Sequence, residues 1–344
     1  MKDLLVLKLG TSTITQKDGE VNETILKDIC SQIAVLGEQY VLILVSSGAV
    51  GCGKRFIKNF SQKLIEKKAA AAIGNPILIE KYAKFLVPKG IPVAQILVER
   101  ENFSDRKKFL RIRETCEELW KNGILPIFNE NDVISDFELK FSDNDELATL
   151  ISAGFSAKKL LLGTSVEGLL DKTEKVVPCI EDFSERILSF ATHKKTEDGL
   201  GGMISKLNCA RLAAKLGTEV QIFDVREAGN ILKAEKGLIG TRCPAKLCEI
   251  SAHKKWLASG SLSVAKVFID EGAKKALQNR KSLLYVGVKE IIGEFKKGEI
   301  FEIYTEKNQL LFAVAQAKLA SQELKTLKDS KGVFLARTDE IVII

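Results

Sequence analysis

The chain has 344 residues, 45% of them hydrophobic and 28% charged, with a formal net charge of +7. That is enough apolar material for about two full-sized cores, and it excludes a disordered or low-complexity polymer. Two histidines and seven cysteines (Cys30, Cys52, Cys116, Cys179, Cys209, Cys243 and Cys248), never spaced as CxxC, exclude a zinc constellation; no metal ligands are expected, and the thiols read as reduced core residues. From His253 to the end there are 16 Lys+Arg against 11 Asp+Glu, so +5 of the charge sits in the last quarter, as solvated surface lysine or a weak polyanion-binding face. No apolar run approaches the roughly 18 residues of a membrane helix, and Asp3 followed at once by a strand is unlike a secretory signal, so no membrane and a cytoplasmic location are expected.

The first run, Leu4-Leu5-Val6-Leu7-Lys8-Leu9-Gly10, predicts a strand covered on both faces with one lysine near its C-terminal end and Thr11-Ser12-Thr13 just beyond. Such a lysine is desolvated unless an anion meets it, and open α/β sheets bind ligands beyond the carboxyl ends of their strands. Phosphate is the leading partner; an edge strand with Lys8 turned to water is the alternative. Further apolar runs at 40–45, 92–98, 124–128, 159–163 and 219–223 alternate with helical spacing such as Ile25-Leu26-Ile29-Ile33-Leu36 and Leu147-Leu150-Ile151. Strand and helix in alternation imply an α/β fold with a doubly wound, mainly parallel sheet, an α/β/α sandwich. After about residue 250 the pattern changes to one short helix (Glu271 to Asn279) and brief β-type runs at 283–286, 300–305, 310–315, 333–336 and 341–344. The expected domains are therefore 1–252 and a small, mainly β module at 259–344, with no internal repeat.

Four segments carry chemistry. The second strand runs into Ser46-Ser47-Gly48-Ala49-Val50-Gly51-Cys52-Gly53-Lys54-Arg55, which fits GxxxxGK but has Arg55 where a P-loop needs a hydroxyl for magnesium. A tight turn whose backbone N–H groups and Ser47 hydroxyl face a small anionic substrate fits better. Asn129-Glu130-Asn131-Asp132 ends another buried strand, and amides with a carboxylate there suit a ligand bearing both ammonium and carboxylate, such as an amino acid; a solvated, self-capping turn is the plainer alternative. In Ser142-Asp143-Asn144-Asp145-Glu146 the acids exceed what a capping box needs, so Asn144 is assigned to substrate and Asp145 to orienting lysines or magnesium. Last, Asp198-Gly199-Leu200-Gly201-Gly202-Met203-Ile204-Ser205-Lys206 opens a helix with an anion-binding nest, and a lysine in its first turn opposes the helix dipole unless a phosphate lies between them. Two lysines, three glycine-bearing turns and an acidic cluster describe phosphoryl transfer, in which positioning and charge neutralisation carry the catalysis.

These segments, with Ala69 to Gly74 and Arg106 to Arg113, come in an order that resembles the glutamate 5-kinase family of amino-acid kinases along essentially the whole chain. The stretch around Asp270-Glu271-Gly272-Ala273 and Gly287 to Gly298 is similar to a PUA domain. The resemblance implies that Lys8 and Lys206 stabilise the transferring phosphoryl group, with Asp145 holding both lysines. It implies that Ser47, Gly48, Asp132 and Asn144 bind L-glutamate. Lys8, Gly10, Thr164, Ser165 and the loop and helix start Leu200, Gly201, Gly202, Met203, Ile204, Ser205 and Lys206 would form the ATP site. ATP and Mg²⁺ are the implied cofactors, L-glutamyl 5-phosphate the product in the first step of proline biosynthesis, and L-proline a feedback inhibitor. Family members tend to be dimers or tetramers, and a partner glutamyl phosphate reductase is expected to take up the labile product. Two departures fall on the nucleotide side: Ser165 stands where the family usually has Asp, and Leu200 where it usually has Thr.

Two other readings compete. One keeps the fold and changes the acceptor to acetylglutamate, aspartate or a nucleoside monophosphate, against which Asp132 argues by suiting a free ammonium. The other makes the protein an RNA-binding factor through its basic C-terminal module, which has few aromatics arranged for stacking.

Overall fold

The computed structural model describes residues 2–16, 18–135, 144–192, 202–246, 263–305, 308–326 and 332–343. The chain divides into two compact units, Met1–Glu99 with Leu110–Leu247, and Arg100–Phe109 with Cys248–Ile344. The boundary expected between 252 and 259 lies outside the described residues.

The first unit is built on a seven-stranded sheet of β1 (Leu4–Leu9), β2 (Val41–Ser46), β3 (Val93–Val98), β4 (Leu125–Glu130), β5 (Lys159–Thr164), β6 (Glu219–Asp224) and β7 (Thr241–Cys243), in the order β3-β4-β2-β1-β5-β6-β7. All pairs are parallel except β6 with β7. Being central, β1 is buried from Leu5 to Leu9, as its unbroken apolar run requires. The edge alternative for Lys8 is excluded, because Lys8 stands opposite Val45 on one side and Leu162 on the other. The chain leaves β1 toward β2, then returns to its other side with β5, so the order reverses beside β1 and the crevice there is where such sheets take ligands. The antiparallel edge strand β7 was not expected from the sequence; three residues are too few to carry a period-two signal.

Helix Glu23–Gln39 follows from the spacing of Leu26, Ile29, Ile33 and Leu36, all buried, each contributing roughly 1.5–3 kcal/mol by leaving water. Its first turn is capped by Asn22, whose side chain accepts from the Ile25 amide at 3.2 Å. The long helix Leu64–Leu86 meets the short helix Ala49–Gly53 backbone to backbone. A Cβ on Gly74 would lie 1.8 Å from the Ala49 carbonyl oxygen, and one on Gly53 1.9 Å from that of Ala70, so both positions admit only glycine. This contact anchors the turn that follows β2, where Gly48 has φ +115.

The second unit has a five-stranded sheet and a two-stranded one. The strands are β8 (Ser263–Ile269), β9 (Leu283–Leu284), β10 (Val288–Gly293), β11 (Ile300–Thr305), β12 (Asn308–Gln316), β13 (Phe334–Ala336) and β14 (Ile341–Ile343), ordered β10-β8-β11-β12-β14 and β13-β9. Asp270 caps helix Glu271–Gln278 by accepting from the Ala273 amide at 2.7 Å. Two of these strands were not expected. β10 is an edge strand whose residues are mostly exposed, so its sequence alternates weakly, whereas β8 does bury Ala265, Val267 and Ile269 at period two. Four described cysteines, Cys30, Cys52, Cys116 and Cys243, are buried as expected; Cys179 is not, being exposed on the loop that precedes helix Glu185–Thr192, and Cys209 is half-buried.

Candidate active site

Three strand ends and two helix starts meet beside β1. Asp145, second residue of helix Asn144–Gly154, is buried, and its carboxylate receives the Lys8 ammonium at 2.6 Å on one oxygen and the Lys206 ammonium at 2.8 Å on the other. Lys8 is itself only 6% exposed. Lys206 is the fifth residue of helix Gly202–Lys215, one position past the first turn expected for it, and also donates to the Gly202 carbonyl at 3.4 Å. Burial works against the Asp145 charge, but the two lysines together outweigh it and hold the carboxyl below the usual carboxylate range. Two ammonium groups brought this close by one carboxylate leave the cluster with an excess positive charge in a poorly hydrated place. That charge balance suits a multiply charged anion.

A second cluster lies on the β2 and β4 side of β1. The Asn144 side-chain amide donates to the Ser47 hydroxyl at 2.7 Å and to the Asn129 carbonyl at 3.0 Å. Asn129 in turn donates to the Asn75 carbonyl at 3.1 Å, which also receives the Gln95 amide at 3.2 Å. Behind Ser47, the Ser46 hydroxyl is hydrogen-bonded to the buried Tyr82 hydroxyl at 2.8 Å. Two polar atoms of this cluster, Asn144 Oδ1 and Asn75 Nδ2, are shielded from water with no hydrogen-bond partner among the described residues. Buried carbonyls and amides are ordinarily paired, so the open Asn144 oxygen suits a hydrogen-bond donor such as a bound ligand's.

Of the residues singled out from sequence, Lys8, Asp145 and Lys206 are joined directly, as are Ser47 and Asn144. Gly48 begins helix Ala49–Gly53, and Asp132 sits half-buried in the turn after β4. Gly10 begins the one-turn helix Thr11–Ile14, its carbonyl taking the Thr13 hydroxyl at 2.6 Å and amide at 3.2 Å. Thr164 spends its hydroxyl on its own loop, donating to the Val166 carbonyl at 2.8 Å and accepting from the Val166 amide at 2.9 Å. The Ser165 carbonyl receives Arg226 at 2.9 Å, and Gly202, Met203, Ile204 and Ser205 form the start of the Lys206 helix. Leu200 and Gly201 lie outside the described residues, as does Asp143. Asn75, Gln95 and Tyr82 were not expected from the sequence, and Asn129 only as part of a motif. The available signal was a polar residue in the Ala-rich run that ends Gly74-Asn75-Pro76, where a solvated helix face would read the same.

A buried lysine on a central strand and a second on a helix share one aspartate, an arrangement whose charge suits a phosphate-bearing ligand. Residues 3–224 match the model of the amino acid kinase family, and residues 265–337 that of the PUA domain. The chain belongs to the amino acid kinase family, and as a kinase it uses ATP. Within that family its relatives are glutamate 5-kinases: it is 36% identical to that of Kosmotoga olearia over 91% of this chain and 90% of the relative, and 33% identical to that of Streptococcus suis over 97% and 98%. Solved isopentenyl phosphate kinase superposes with a TM-score of 0.49 at 23% identity, covering 70% of this chain and 99% of its own.

Proposed function

We propose that the protein transfers the γ-phosphoryl group of ATP to the side-chain carboxylate of L-glutamate, giving L-glutamyl 5-phosphate and ADP in the first step of proline biosynthesis. The observation that carries this reading is the convergence of the Lys8 and Lys206 ammonium groups on Asp145, next to the Asn144 and Ser47 pair. The similarity to glutamate 5-kinases over most of the chain supports the choice of acceptor.

The acceptor carboxylate is ionised at neutral pH, so no general base is needed. One of its oxygens forms a bond to the γ-phosphorus while the bond from that phosphorus to the β,γ-bridging oxygen breaks, and the electron pair leaves with ADP. Lys8 and Lys206 take up charge on the γ-phosphoryl oxygens as it redistributes, and Asp145 keeps both amines at fixed separation so that none of this requires reorganisation. Ser47, Asn144 and Asp132 hold the amino acid, and the Gly10 and Gly48 turns let backbone come close to phosphate or substrate. Thr164, Ser165 and residues 202–206 line the nucleotide. Among the described residues no three acidic, cysteine or histidine side chains gather to hold a metal, and Asp145 is committed to two lysines. Mg²⁺, carried in with the nucleotide, would neutralise phosphate charge, and no step here runs through it.

Feedback inhibition by proline, assembly into a dimer or tetramer, delivery of product to a glutamyl phosphate reductase and a cytoplasmic location belong to the same proposal. The test is glutamate-dependent ADP release, with and without proline, repeated on Lys206→Ala. Wild-type turnover that needs glutamate, is lowered by proline and falls at least about a hundredfold in the variant supports the reading. ATP turnover indifferent to glutamate, or a screen preferring acetylglutamate, aspartate or a nucleoside monophosphate, overturns it.

A further inference from the structure

The chain of amides behind the substrate pocket has a direction, and the direction has a consequence. Gln95 and Asn129 both donate to Asn75 Oδ1, at 3.2 and 3.1 Å. With its amino group turned to Asn75, Asn129 points its carbonyl forward, and that oxygen receives the Glu130 amide at 2.9 Å and Asn144 Nδ2 at 3.0 Å. Asn144 Nδ2 also donates to Ser47 at 2.7 Å, so both its N–H bonds are used and only Oδ1 is left for anything else. That oxygen is the one found buried and unpaired among the described residues.

We propose that Asn75 is a positioning residue that selects amino-acid acceptors with a free ammonium group, by fixing the Asn129 and Asn144 amides so that Asn144 presents a carbonyl oxygen, not an NH₂, to the substrate. This rests on the function proposed above. An open carbonyl attracts an ammonium and repels a carboxylate; a flipped Asn144 would do the reverse. Asn75 can hold the direction because it is itself held. It is 4% exposed on the long helix Leu64–Leu86, and its neighbour Gly74 is locked against Ala49 by backbone contact. Besides Asn75, the Asn129 amide is oriented by the Glu130 amide and by Asn144 Nδ2, each a neutral hydrogen bond to its carbonyl oxygen, and Asn144 can itself turn.

The test compares L-glutamate with glutarate, which has both carboxylates and no ammonium, in wild type, Asn75→Asp and Asn75→Leu, with KM for ATP measured alongside. Leucine is similar in size and accepts nothing, so Asn129 and Asn144 are free to flip. The ratio of kcat/KM for glutamate over glutarate should fall about tenfold, with KM for glutamate rising and KM for ATP within about twofold of wild type. Asn75→Asp keeps two acceptor oxygens and should keep the ratio. Should Asn75→Leu not fold, Asn75→Ser, too short to hold Asn129, carries the same expectation. A merely structural role lowers both substrates alike and leaves the ratio unmoved, and that result, or a ratio lost equally in Asn75→Asp, overturns the proposal. If wild type fails to turn over glutamate, the proposed function falls and takes this inference with it, whereas normal wild-type turnover with an unmoved ratio sinks this inference alone.

Discussion

Replacing Asp145 by Asn keeps the size of the side chain and removes its charge from between two lysines. In the folded protein the carboxylate is 1% exposed and lies 2.6 Å from Lys8 and 2.8 Å from Lys206, whose side chains are 7% and 18% exposed. Deleting one member of a buried ion cluster costs roughly 3–5 kcal/mol, and the lower figure applies because Asn can still accept one hydrogen bond and Lys206 retains some water. About 3 kcal/mol corresponds to a fall of about 6–12 °C in melting temperature for a unit of this size. The loss should shrink when ATP is added, since the triphosphate then supplies the missing negative charge. Turnover should fall at least about a hundredfold, the usual effect of displacing a group that stabilises transition-state charge. The assays are thermal melting with and without nucleotide, and glutamate-dependent ADP release. A variant that melts within about 2 °C of wild type, or keeps kcat within about tenfold, would refute the argument that Asp145 holds the lysines in a charge-balanced pair.

The same carboxylate makes stability depend on pH. Its folded pKa is depressed, so its contribution is complete above the unfolded value of about 3.9 and is lost as pH falls through the lower folded one; Asp145→Asn should flatten the stability curve in that acid range, as followed by urea melts. Ser47→Ala removes the hydroxyl that meets Asn144 and should raise KM for glutamate about tenfold while leaving KM for ATP alone, read by steady-state kinetics. Gly74→Ala forces a methyl to 1.8 Å from the Ala49 carbonyl and should cost more than about 3 kcal/mol or abolish soluble expression, while Gly90→Ala, strained only by its φ of +76 and open in space, should cost about 1 kcal/mol. Burial pushes the Cys30, Cys116 and Cys243 thiols up to about 12, so these should resist iodoacetamide at neutral pH until the protein is denatured, with peptide mapping as the check.

Lys8 shows how far a one-dimensional reading reaches. An apolar run with a single lysine near its end says that the lysine will be desolvated and must find an anion, because burial of an unpaired ammonium is too costly to persist. Helical and strand periods likewise made the parallel sheet, the helix through Leu26, Ile29, Ile33 and Leu36 and the change to a β-type module legible, since these patterns follow from local geometry. The edge strands β7 and β10 were not legible, because an edge strand is short or solvated and its sequence carries little alternation.

The amino-acid sequence by itself determined which side chains had to be charged, buried or turn-forming, and so which segments could carry phosphoryl chemistry. Only the tertiary structure decided that Lys8 and Lys206, already expected to share Asp145, meet its two separate oxygens at 2.6 and 2.8 Å, and that Asn75 on a distant helix completes the amide chain behind Asn144. The physical reason is that hydrogen bonds and ion pairs are short-ranged and directional, whereas the residues that make them, from Lys8 to Lys206, are spread along nearly two hundred positions of chain that only the folded sheet brings together.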